Sequence, residues 1–320
     1  MHKRPFFWIV LAVTALFALV PGVGGDVGLR ESLLLAAVYI VLASNLNLMI
    51  GYTGYVNFGN IAFFGLGGYI GMYLVTVLHW SLWLAAFAAG AGVSLLALLL
   101  GLGILRLRGA YFALATIGIN EAVKALVSNF GPFGGASGMY LSFSSFAPLG
   151  GPRHALWIVY FVIVALMGVS LLLSLLIKNS KFGLGLFAIR EDEDAAIVLG
   201  VRAPWYKSAI YAISAFIPAA VGTLYFFKNG VILPEQAFDL TLSIEAIVML
   251  MLGGQGTVFG AALGAFAYEQ FRGFLLTSST FSQFQLVVAG VLLLVIVLFL
   301  PGGFMGWLYR KLPKLRKVLE

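Results

Sequence analysis

Residues 154–177 read HALWIVYFVIVALMGVSLLLSLLI, an apolar stretch without a single Asp, Glu, Lys or Arg. A helix of about 20 such residues crosses the hydrocarbon core of a bilayer. The same character extends over the whole chain of 320 residues, which is 62% hydrophobic and only 10% charged, with a mean hydropathy of +1.04. Soluble domains carry about 25% charged residues. The composition therefore excludes a soluble enzyme and predicts a polytopic membrane protein.

Ten apolar stretches recur along the chain, separated by short turns. Their bounds are 6–21, 32–50, 58–78, 82–105, 110–128, 154–177, 207–227, 240–252, 257–272 and 283–300. A chain of this length has room for about eight to ten spans with short loops. We therefore predict an all-α polytopic membrane fold with about eight to ten transmembrane helices, some of them interrupted, in a single domain over residues 1–320.

The basic residues set the predicted orientation in the membrane. When ten helices are threaded alternately, four basic groups fall on the same side as both termini: Lys3 with Arg4, Arg106 with Arg108, the segment 178–206, and the tail Arg310–Lys317. Cytoplasmic loops carry an excess of Lys and Arg. Both termini are therefore expected in the cytoplasm, and the net charge of +7 does not require a nucleic-acid partner.

Two membrane stretches are interrupted by glycine and polar residues. Gly51–Asn60 joins the second and third spans, and the short span 240–252 ends in the turn Gly253–Gly256. Irregular backbone at membrane depth occurs where protein buries it or where it lines a wet cavity, and interrupted spans point to a transport path. Close helix packing explains most of the glycines but not the amides, so Asn57 and Asn60 are candidate path residues.

Polar residues inside other spans supply further path candidates, because such residues usually face a cavity or a partner. Glu121 and Lys124 stand at i and i+3 on one helix face, where they can pair; the alternative is a structural ion pair near the outer interface. Glu245 lies in the short span 240–252. Asn45 and Asn47 point to different faces of the second span, so at most one lines a given path. The other is expected to form an interhelical hydrogen bond.

The most charged segment is Lys178–Lys207, which holds nine charged residues. Within it, Ala188–Gly200 predicts a short helix with acidic residues in its first turn, at the positive end of the helix dipole, and a glycine that ends it. A small apolar face is expected from Ala195, Ala196 and Leu199. A short amphipathic helix on the cytoplasmic side is suited to docking a partner, and the alternative is a solvated loop.

The run Gly185–Val201 resembles the ATPase-docking loop in permease subunits of branched-chain amino acid ABC importers of the LivM type. Other matches to this family follow in the same order: Asn45–Gly54, Gly59–Gly65, Leu107–Ala113, Gly134–Gly138, Leu242–Glu245 and Gly253–Thr257. Together the matches extend over about residues 35–305. The departures are Leu184, Phe187 and Gly302, which stand where the family usually has basic residues, so a less basic docking surface is expected.

The resemblance implies a transport subunit that is not itself an enzyme, a multi-pass protein of a prokaryotic cytoplasmic (inner) membrane. It would pair with a second homologous permease, bind two P-loop ATPases and receive substrate from an extracytoplasmic binding protein. The docking loop would lie at about 178–206, with the docking residues Arg190, Glu191, Asp192, Glu193, Asp194, Ala195, Ala196 and Gly200. The chain has no Gly-Lys pair and so no P-loop of its own; ATP and Mg²⁺ are expected on the ATPases, and no cofactor in this chain.

Other functions stay open at the level of the sequence. A related importer for urea, short amides or other amino acids is one alternative. A proton-coupled secondary transporter is another, with Glu121 and Lys124 or Glu245 as its coupling site. An intramembrane enzyme finds no support, because the chain has no cysteine and its three histidines lie at separate span ends.

Overall fold

The computed structural model describes residues 4–24, 27–277 and 302–311, together with 287, 290, 291 and 294. Within them the chain is almost entirely helical, which confirms the predicted all-α class. The helices are α1 (Arg4–Gly24), α2 (Val27–Thr53), α3 (Asn60–Thr76), α4 (Leu82–Ile104), α5 (Ala110–Asn129), α6 (Pro152–Lys178), α7 (Lys181–Glu191), α8 (Glu193–Val198), α9 (Ala203–Asn229), α10 (Pro234–Ala237), α11 (Leu240–Gly253), α12 (Val258–Thr277) and α13 (Gly303–Lys311).

Six stretches in the described part of the chain are helical, long and apolar enough to cross a membrane. They are Val27–Thr53, Leu82–Ile104, Ala110–Asn129, Pro152–Lys178, Ala203–Asn229 and Pro234–Gly253. Shorter apolar helices cover Phe7–Pro21 and Asn60–Thr76. Each coincides with a predicted apolar stretch, and α12 coincides with the stretch 257–272. Most of the predicted span 283–300 and most of the basic tail Arg310–Lys317 lie outside the described residues, as does Lys3.

The chain forms two compact units. The docking unit consists of Leu48–Ile163 and Ser180–Ser243, and the terminal unit of Met1–Asn47, Val164–Asn179 and Ile244–Glu320. The prediction of a single domain over residues 1–320 stays a prediction.

The core of the docking unit is formed by α3, α4 and α9, which contact each other along their lengths. Small residues allow the approach: Gly67 lies against the backbone of Ala219, and Gly71 lies against Thr223, so a Cβ at either glycine would collide with α9. The Thr223 hydroxyl also donates a hydrogen bond to the Gly67 carbonyl (2.8 Å). This contact fixes α3, whose first residue is Asn60, against the longest helix of the unit.

A short pair of strands joins two loops of the docking unit. Helix α9 ends at Gly230, whose φ of +72° is the left-handed conformation that glycine adopts readily. The chain then enters β2 (Val231–Ile232), which pairs antiparallel with β1 (Met139–Tyr140), with Met139 opposite Ile232. The loop after α5 and the loop after α9 therefore lie at the same end of the unit.

In the terminal unit, a glycine-rich crossing brings α11 and α12 together. Gly253 lies so close to the Gly260 carbonyl that neither position has room for a side chain, and Gly264 lies against the Met249 carbonyl. The turn between these helices has Gly254 at φ +116°. Gly253 therefore serves helix packing, as the sequence indicated for most of the glycines, whereas Gly254 and Gly256 form the turn with positive φ angles.

Candidate functional site

The predicted docking loop at about 178–206 contains α7 and α8, which meet at Asp192; we call these two helices the docking segment. There the backbone is extended, with φ −157° and ψ 109°, and Asp192 Oδ1 accepts a hydrogen bond from the Ala195 amide (3.0 Å) that caps α8. The prediction of one helix over Ala188–Gly200 is therefore wrong. An aspartate side chain competes for backbone amides and favours a helix start over a helix interior. The predicted stop is confirmed, because Gly200 has a φ of +90°.

Five polar side chains bind α8 to its own unit, and we call them the Glu193 cluster: Tyr55, Arg108, Glu193, Asp194 and Lys207. Lys207 is only 2% exposed. Its ammonium group donates to Glu193 Oε1 (2.8 Å), to the Tyr55 hydroxyl (2.9 Å) and to the Leu105 carbonyl (2.6 Å). The Tyr55 hydroxyl donates in turn to Glu193 Oε2 (2.6 Å). All three ammonium protons thus have acceptors, which is the condition for burying such a charge.

Arg108, in the turn between α4 and α5, covers the exposed side of the Glu193 cluster. Its two terminal nitrogens donate to the Asp194 carboxylate at 3.0 and 2.7 Å, and Nη2 lies 3.7 Å from Glu193 Oε1. The hydrogen bonds from this guanidinium lower the pKa of the Asp194 carboxyl below its usual value. Two cations and two carboxylates leave the cluster with no net charge, so its acidic residues are already paired within the chain.

Arg190, in the last turn of α7, binds the end of α2. Its Nη1 donates to the Gly51 carbonyl (2.6 Å), one of the carbonyls near a helix end that lack an intrahelical partner. Gly54 turns the chain after α2 with a φ of +77°, and a Cβ there would lie 3.4 Å from Arg190 Cγ. The docking segment therefore contacts the interrupted motif Gly51–Asn60 twice, through Arg190 and through the Glu193 bond to Tyr55.

The outward part of α8 is apolar. Val198 and Leu199 are 86% and 83% exposed, and Ile197 is also exposed; we call these three residues the apolar tip. Ala196, by contrast, is buried in a small core with Ile189 and Ala203. The predicted apolar face is therefore divided. Ala196 packs inward, while Leu199 lies past the last helical residue and points away from this core.

Asn57 and Asn60 lie at the buried start of α3, where backbone amides need acceptors. Three side-chain oxygens accept hydrogen bonds from these amides: Asn57 Oδ1 from Gly59 (3.0 Å), Thr116 Oγ1 from Phe58 (3.1 Å) and Ser243 Oγ from Ile61 (3.3 Å). We call this polar region the α3 entrance. It joins the end of the Gly51–Asn60 motif to α5 and to the start of α11.

Buried amide atoms at the α3 entrance lack hydrogen-bond partners among the described residues. They are Asn57 Nδ2, Asn60 Oδ1 and Asn120 Oδ1. Asn120, which the sequence analysis missed, lies on α5 one turn after Thr116 and donates to the Phe238 carbonyl (2.9 Å). The i, i+4 spacing of these two polar residues in an apolar span was the available signal. Unpaired buried amides favour a polar ligand or a polar path at this place.

Lys124 forms its ion pair with Glu235 and not with the predicted partner Glu121. Its ammonium group binds Glu235 of α10 (2.6 Å), so the expected local pair at i and i+3 is replaced by a partner from another helix. Glu121 is exposed on α5, and among the described residues its carboxylate accepts a long hydrogen bond from Asn120 (3.4 Å). The path roles of Glu121 and Lys124 stay predictions.

In the terminal unit, Asn45 and Asn47 both form bonds between segments. Asn45 Nδ2 donates to Ser170 of α6 (2.8 Å), which is the interhelical bond expected of one asparagine. Asn47 holds the turn between α11 and α12: Nδ2 donates to the Thr257 carbonyl (3.0 Å), and Oδ1 accepts from the Gly256 amide (2.8 Å). A path role for Asn45 stays a prediction.

Glu245 lies in a buried ionic group of the terminal unit that we call the Arg272 cluster: Tyr39, Glu245, Glu269 and Arg272. Glu245 is 1% exposed, accepts from the Tyr39 hydroxyl (3.2 Å) and lies 3.6 Å from Arg272 Nε. Arg272 Nη1 lies 3.5 Å from Glu269 Oε2. Tyr39, Glu269 and Arg272 were not predicted from the sequence, although the i, i+3 spacing of Glu269 and Arg272 was an available signal.

The fold and these contacts define a class of protein: a polytopic membrane protein in which the charged segment formed by α7 and α8 is bound to an interrupted helix junction. Residues 28–297 match the family described as the permease component of the branched-chain amino acid transport system, and the chain belongs to this family. This confirms the resemblance seen in the sequence, and it makes the chain a multi-pass membrane protein of a transport system.

Individual relatives carry more specific names. The chain is 28% identical to the high-affinity branched-chain amino acid transport system permease protein LivM of Escherichia coli K12, over 85% of this chain and 68% of that protein. It is 25% identical to the permease protein BraD of the same kind of system in Pseudomonas aeruginosa, over 87% and 94%. The ribose import permease RbsC of Bacillus subtilis is 26% identical over 43% and 46%. No solved structure matches.

Proposed function

We propose that this chain is a permease subunit of an ABC importer for branched-chain amino acids, with half of the translocation path in its own helices. The observation that carries the proposal is the family match over residues 28–297, which contains the docking segment, the α3 entrance and the Arg272 cluster. As a permease subunit the chain is not itself an enzyme. A second permease would supply the other half of the path, and an extracytoplasmic binding protein would deliver the substrate.

The docking segment is the proposed contact with two cytoplasmic ATPases, which would hold the ATP and Mg²⁺. Because Glu193 and Asp194 are paired within the chain, the groups that α8 offers to a partner are Ile197, Val198 and Leu199. The ion pairs position α8, and the apolar tip contacts the ATPase. The proposal thus keeps the docking segment predicted from the sequence and moves its contact surface from the acidic turn to the tip.

The contacts of the docking unit support the proposed orientation, with ten spans and both termini in the cytoplasm of a prokaryotic cell. Arg108 binds Asp194, so the basic turn between α4 and α5 lies on the same side as the docking segment, as the distribution of positive charge requires. The strand pair between Met139–Tyr140 and Val231–Ile232 joins loops that the same threading places together on the other side.

The proposal is tested by copurification and uptake. The tagged chain is isolated from its native membrane in mild detergent, and uptake of radiolabelled L-leucine is measured in cells with and without its gene. We expect recovery of a second polytopic permease and P-loop ATPases, and loss of L-leucine uptake in the deletion strain. Recovery of the chain alone, together with uptake driven by a pH gradient without ATP, would replace the proposal with a proton-coupled transporter.

Competition during uptake separates the substrate classes. Relatives are named for ribose import and for autoinducer 2 import as well as for branched-chain amino acids. We expect unlabelled L-isoleucine and L-valine to compete with labelled L-leucine, and urea, acetamide and ribose not to compete. Competition by urea or acetamide at similar concentrations would assign the chain to the related importer class.

A further inference from the structure

The Arg272 cluster places three ionisable side chains from two helices, and a tyrosine from a third, inside one unit. Glu245 belongs to α11, Glu269 and Arg272 to α12, and Tyr39 to α2. Both carboxylates are at least 95% buried. Ionisable side chains in membrane spans are expensive to insert and usually mark a functional site. The cluster is therefore the strongest candidate for a binding site in the terminal unit.

The ionic contacts of this cluster are long. The nitrogen–oxygen separations are 3.6 Å from Arg272 to Glu245 and 3.5 Å from Arg272 to Glu269, whereas charged hydrogen bonds are usually about 2.7–2.9 Å. The Glu193 cluster of the docking unit has such short bonds, with 2.8 Å between Lys207 and Glu193. Among the described residues, Arg272 Nε and Glu269 Oε2 have no hydrogen-bond partner although both atoms are buried.

The unpaired atoms differ in charge and therefore restrict the ligand. A guanidinium N–H needs an acceptor, and carboxylates are its best partners. A carboxylate oxygen needs a donor, and an ammonium group supplies one. A simple cation would leave Arg272 Nε without a hydrogen-bond acceptor, and a simple anion would leave Glu269 Oε2 without a hydrogen-bond donor. A ligand with a carboxylate and an ammonium on adjacent atoms satisfies both, which is the backbone of an α-amino acid.

We infer that the Arg272 cluster binds the zwitterionic backbone of an α-amino acid on its way through the permease. In this arrangement Arg272 holds the α-carboxylate and Glu269 holds the α-ammonium. Tyr39 and Glu245 orient the guanidinium, since Glu245 accepts from Tyr39 and faces Arg272, and the Arg272 guanidinium carbon lies 5.8 Å from the centre of the Tyr39 ring. The inference rests on the proposed function and names the part of the substrate that this site recognises.

The proposed topology places the site in the outer half of the membrane. Glu245 lies in the second turn of α11, Arg272 lies in the last third of α12, and Tyr39 lies in the first half of α2. Under that topology these three positions lie in the outer halves of their helices. A site at this depth would receive the substrate released by the binding protein before it reaches the cytoplasmic side.

The test measures equilibrium binding of radiolabelled L-leucine to the purified permease–ATPase complex in nanodiscs, without the binding protein. Competitors are L-isoleucine, leucinamide, which lacks the carboxylate, and 4-methylpentanoate, which lacks the ammonium. The variants are Arg272→Lys and Glu269→Gln, with Glu235→Gln as a matched control because Glu235 forms an exposed ion pair in the docking unit. Melting temperature and recovery of the complex report on folding.

We expect L-isoleucine to displace L-leucine and each single-charge analogue to displace it at least tenfold more weakly. Arg272→Lys and Glu269→Gln should weaken binding at least tenfold, while Glu235→Gln binds like the wild type. Equal displacement by the analogues, or variants with wild-type affinity, would overturn the inference. So would an absence of saturable L-leucine binding to a complex that takes up L-leucine with ATP and binding protein. If the complete wild-type complex takes up no L-leucine, the proposed function itself is overturned.

The competition arm uses only the wild-type complex. It therefore decides the question even if a variant fails to assemble.

Discussion

Lys207 is the residue on which the position of α8 depends most strongly. Its ammonium group is buried and binds Glu193, Tyr55 and a backbone carbonyl, so its charge is compensated only while Glu193 is ionised and in place. Removing one partner of a buried ion pair leaves the other charge uncompensated, at a cost of about 3–5 kcal/mol. Arg108 and Asp194 form a pair that is open to solvent, and solvent screens it.

We therefore predict that Glu193→Gln lowers the melting temperature of the purified complex and its yield of bound ATPase. Adding Lys207→Met to Glu193→Gln should recover part of the loss, because the unpaired buried charge is then gone. The matched control for the melting temperature is Glu191→Gln, since Glu191 is exposed at the end of α7. A melting temperature for Glu193→Gln equal to that of the control would show that the Lys207 pair does not hold α8.

The lowered pKa of Asp194 leads to a prediction about pH. When α8 is released, the pKa of the Asp194 carboxyl returns towards its ordinary value of 3.8, and the carboxylate binds protons more readily than in the folded cluster. The stabilisation is therefore complete above that value and disappears as pH falls through the lowered pKa. We expect the difference in amide protection of α8 between the wild type and Asp194→Asn to be constant near neutral pH and to vanish in acid. High salt should reduce the same difference in amide protection, because salt screens an exposed ion pair. A difference that persists in acid would contradict the role of the ionised Asp194 carboxylate.

At the scale of elements, the junction between α2 and α3 depends on one glycine. Gly54 has a φ of +77° and lies against Arg190, whose guanidinium binds the Gly51 carbonyl at the end of α2. A side chain at such a φ costs about 1–2 kcal/mol. The junction also carries Tyr55, so a shift at Gly54 moves one member of the Glu193 cluster.

We predict that Gly54→Ala destabilises the protein by about 1–2 kcal/mol and reduces uptake. The control is Gly92→Ala, in the middle of α4, where a Cβ meets nothing within 4 Å. There alanine should be neutral or stabilising, since it forms helix better than glycine by about 1 kcal/mol. The measurements are thermal unfolding in detergent and uptake of L-leucine. Equal melting temperatures for the two variants would contradict the role of Gly54.

The elements that the sequence predicts correctly are those whose structure depends on the residues of the element itself, such as a continuous apolar run. Continuously apolar runs such as 154–177 predict helices, because a helix satisfies its backbone hydrogen bonds within the segment itself. The break at Asp192 was missed because acidic residues fit both the first turn of a helix and its cap. The partners of Glu193 were missed for a different reason: Tyr55 is 138 residues away in the chain, and no local pattern encodes such a contact. Lys124 shows the same limit, since Glu235 displaces the local partner Glu121.

At the scale of the whole molecule, the proposed docking and the folding of α8 use different faces of this helix. The acidic side is bound within the chain, and the apolar tip is exposed. Substitutions on the two faces should therefore separate the two properties.

We predict that Val198→Asp combined with Leu199→Asp abolishes copurification of the ATPases and leaves the melting temperature of the permease within about 1 °C, because surface substitutions usually change stability by less than about 0.5 kcal/mol. Phe143→Asp is the control, an exposed apolar residue between α5 and α6. It should change neither property. Normal copurification of the ATPases with the tip variant would place the contact elsewhere.

The prior anchoring of α8 has a thermodynamic consequence for assembly. A segment that orders only on binding shows a large negative change in heat capacity, because its own folding buries surface together with the interface. Here Asp192 already caps the helix, Ala196 is already packed, and Lys207 is already neutralised by Glu193. The heat-capacity change on association with the ATPase should therefore be small and negative, because only the interface around three aliphatic side chains is buried and no folding accompanies it. Its enthalpy should then change little with temperature.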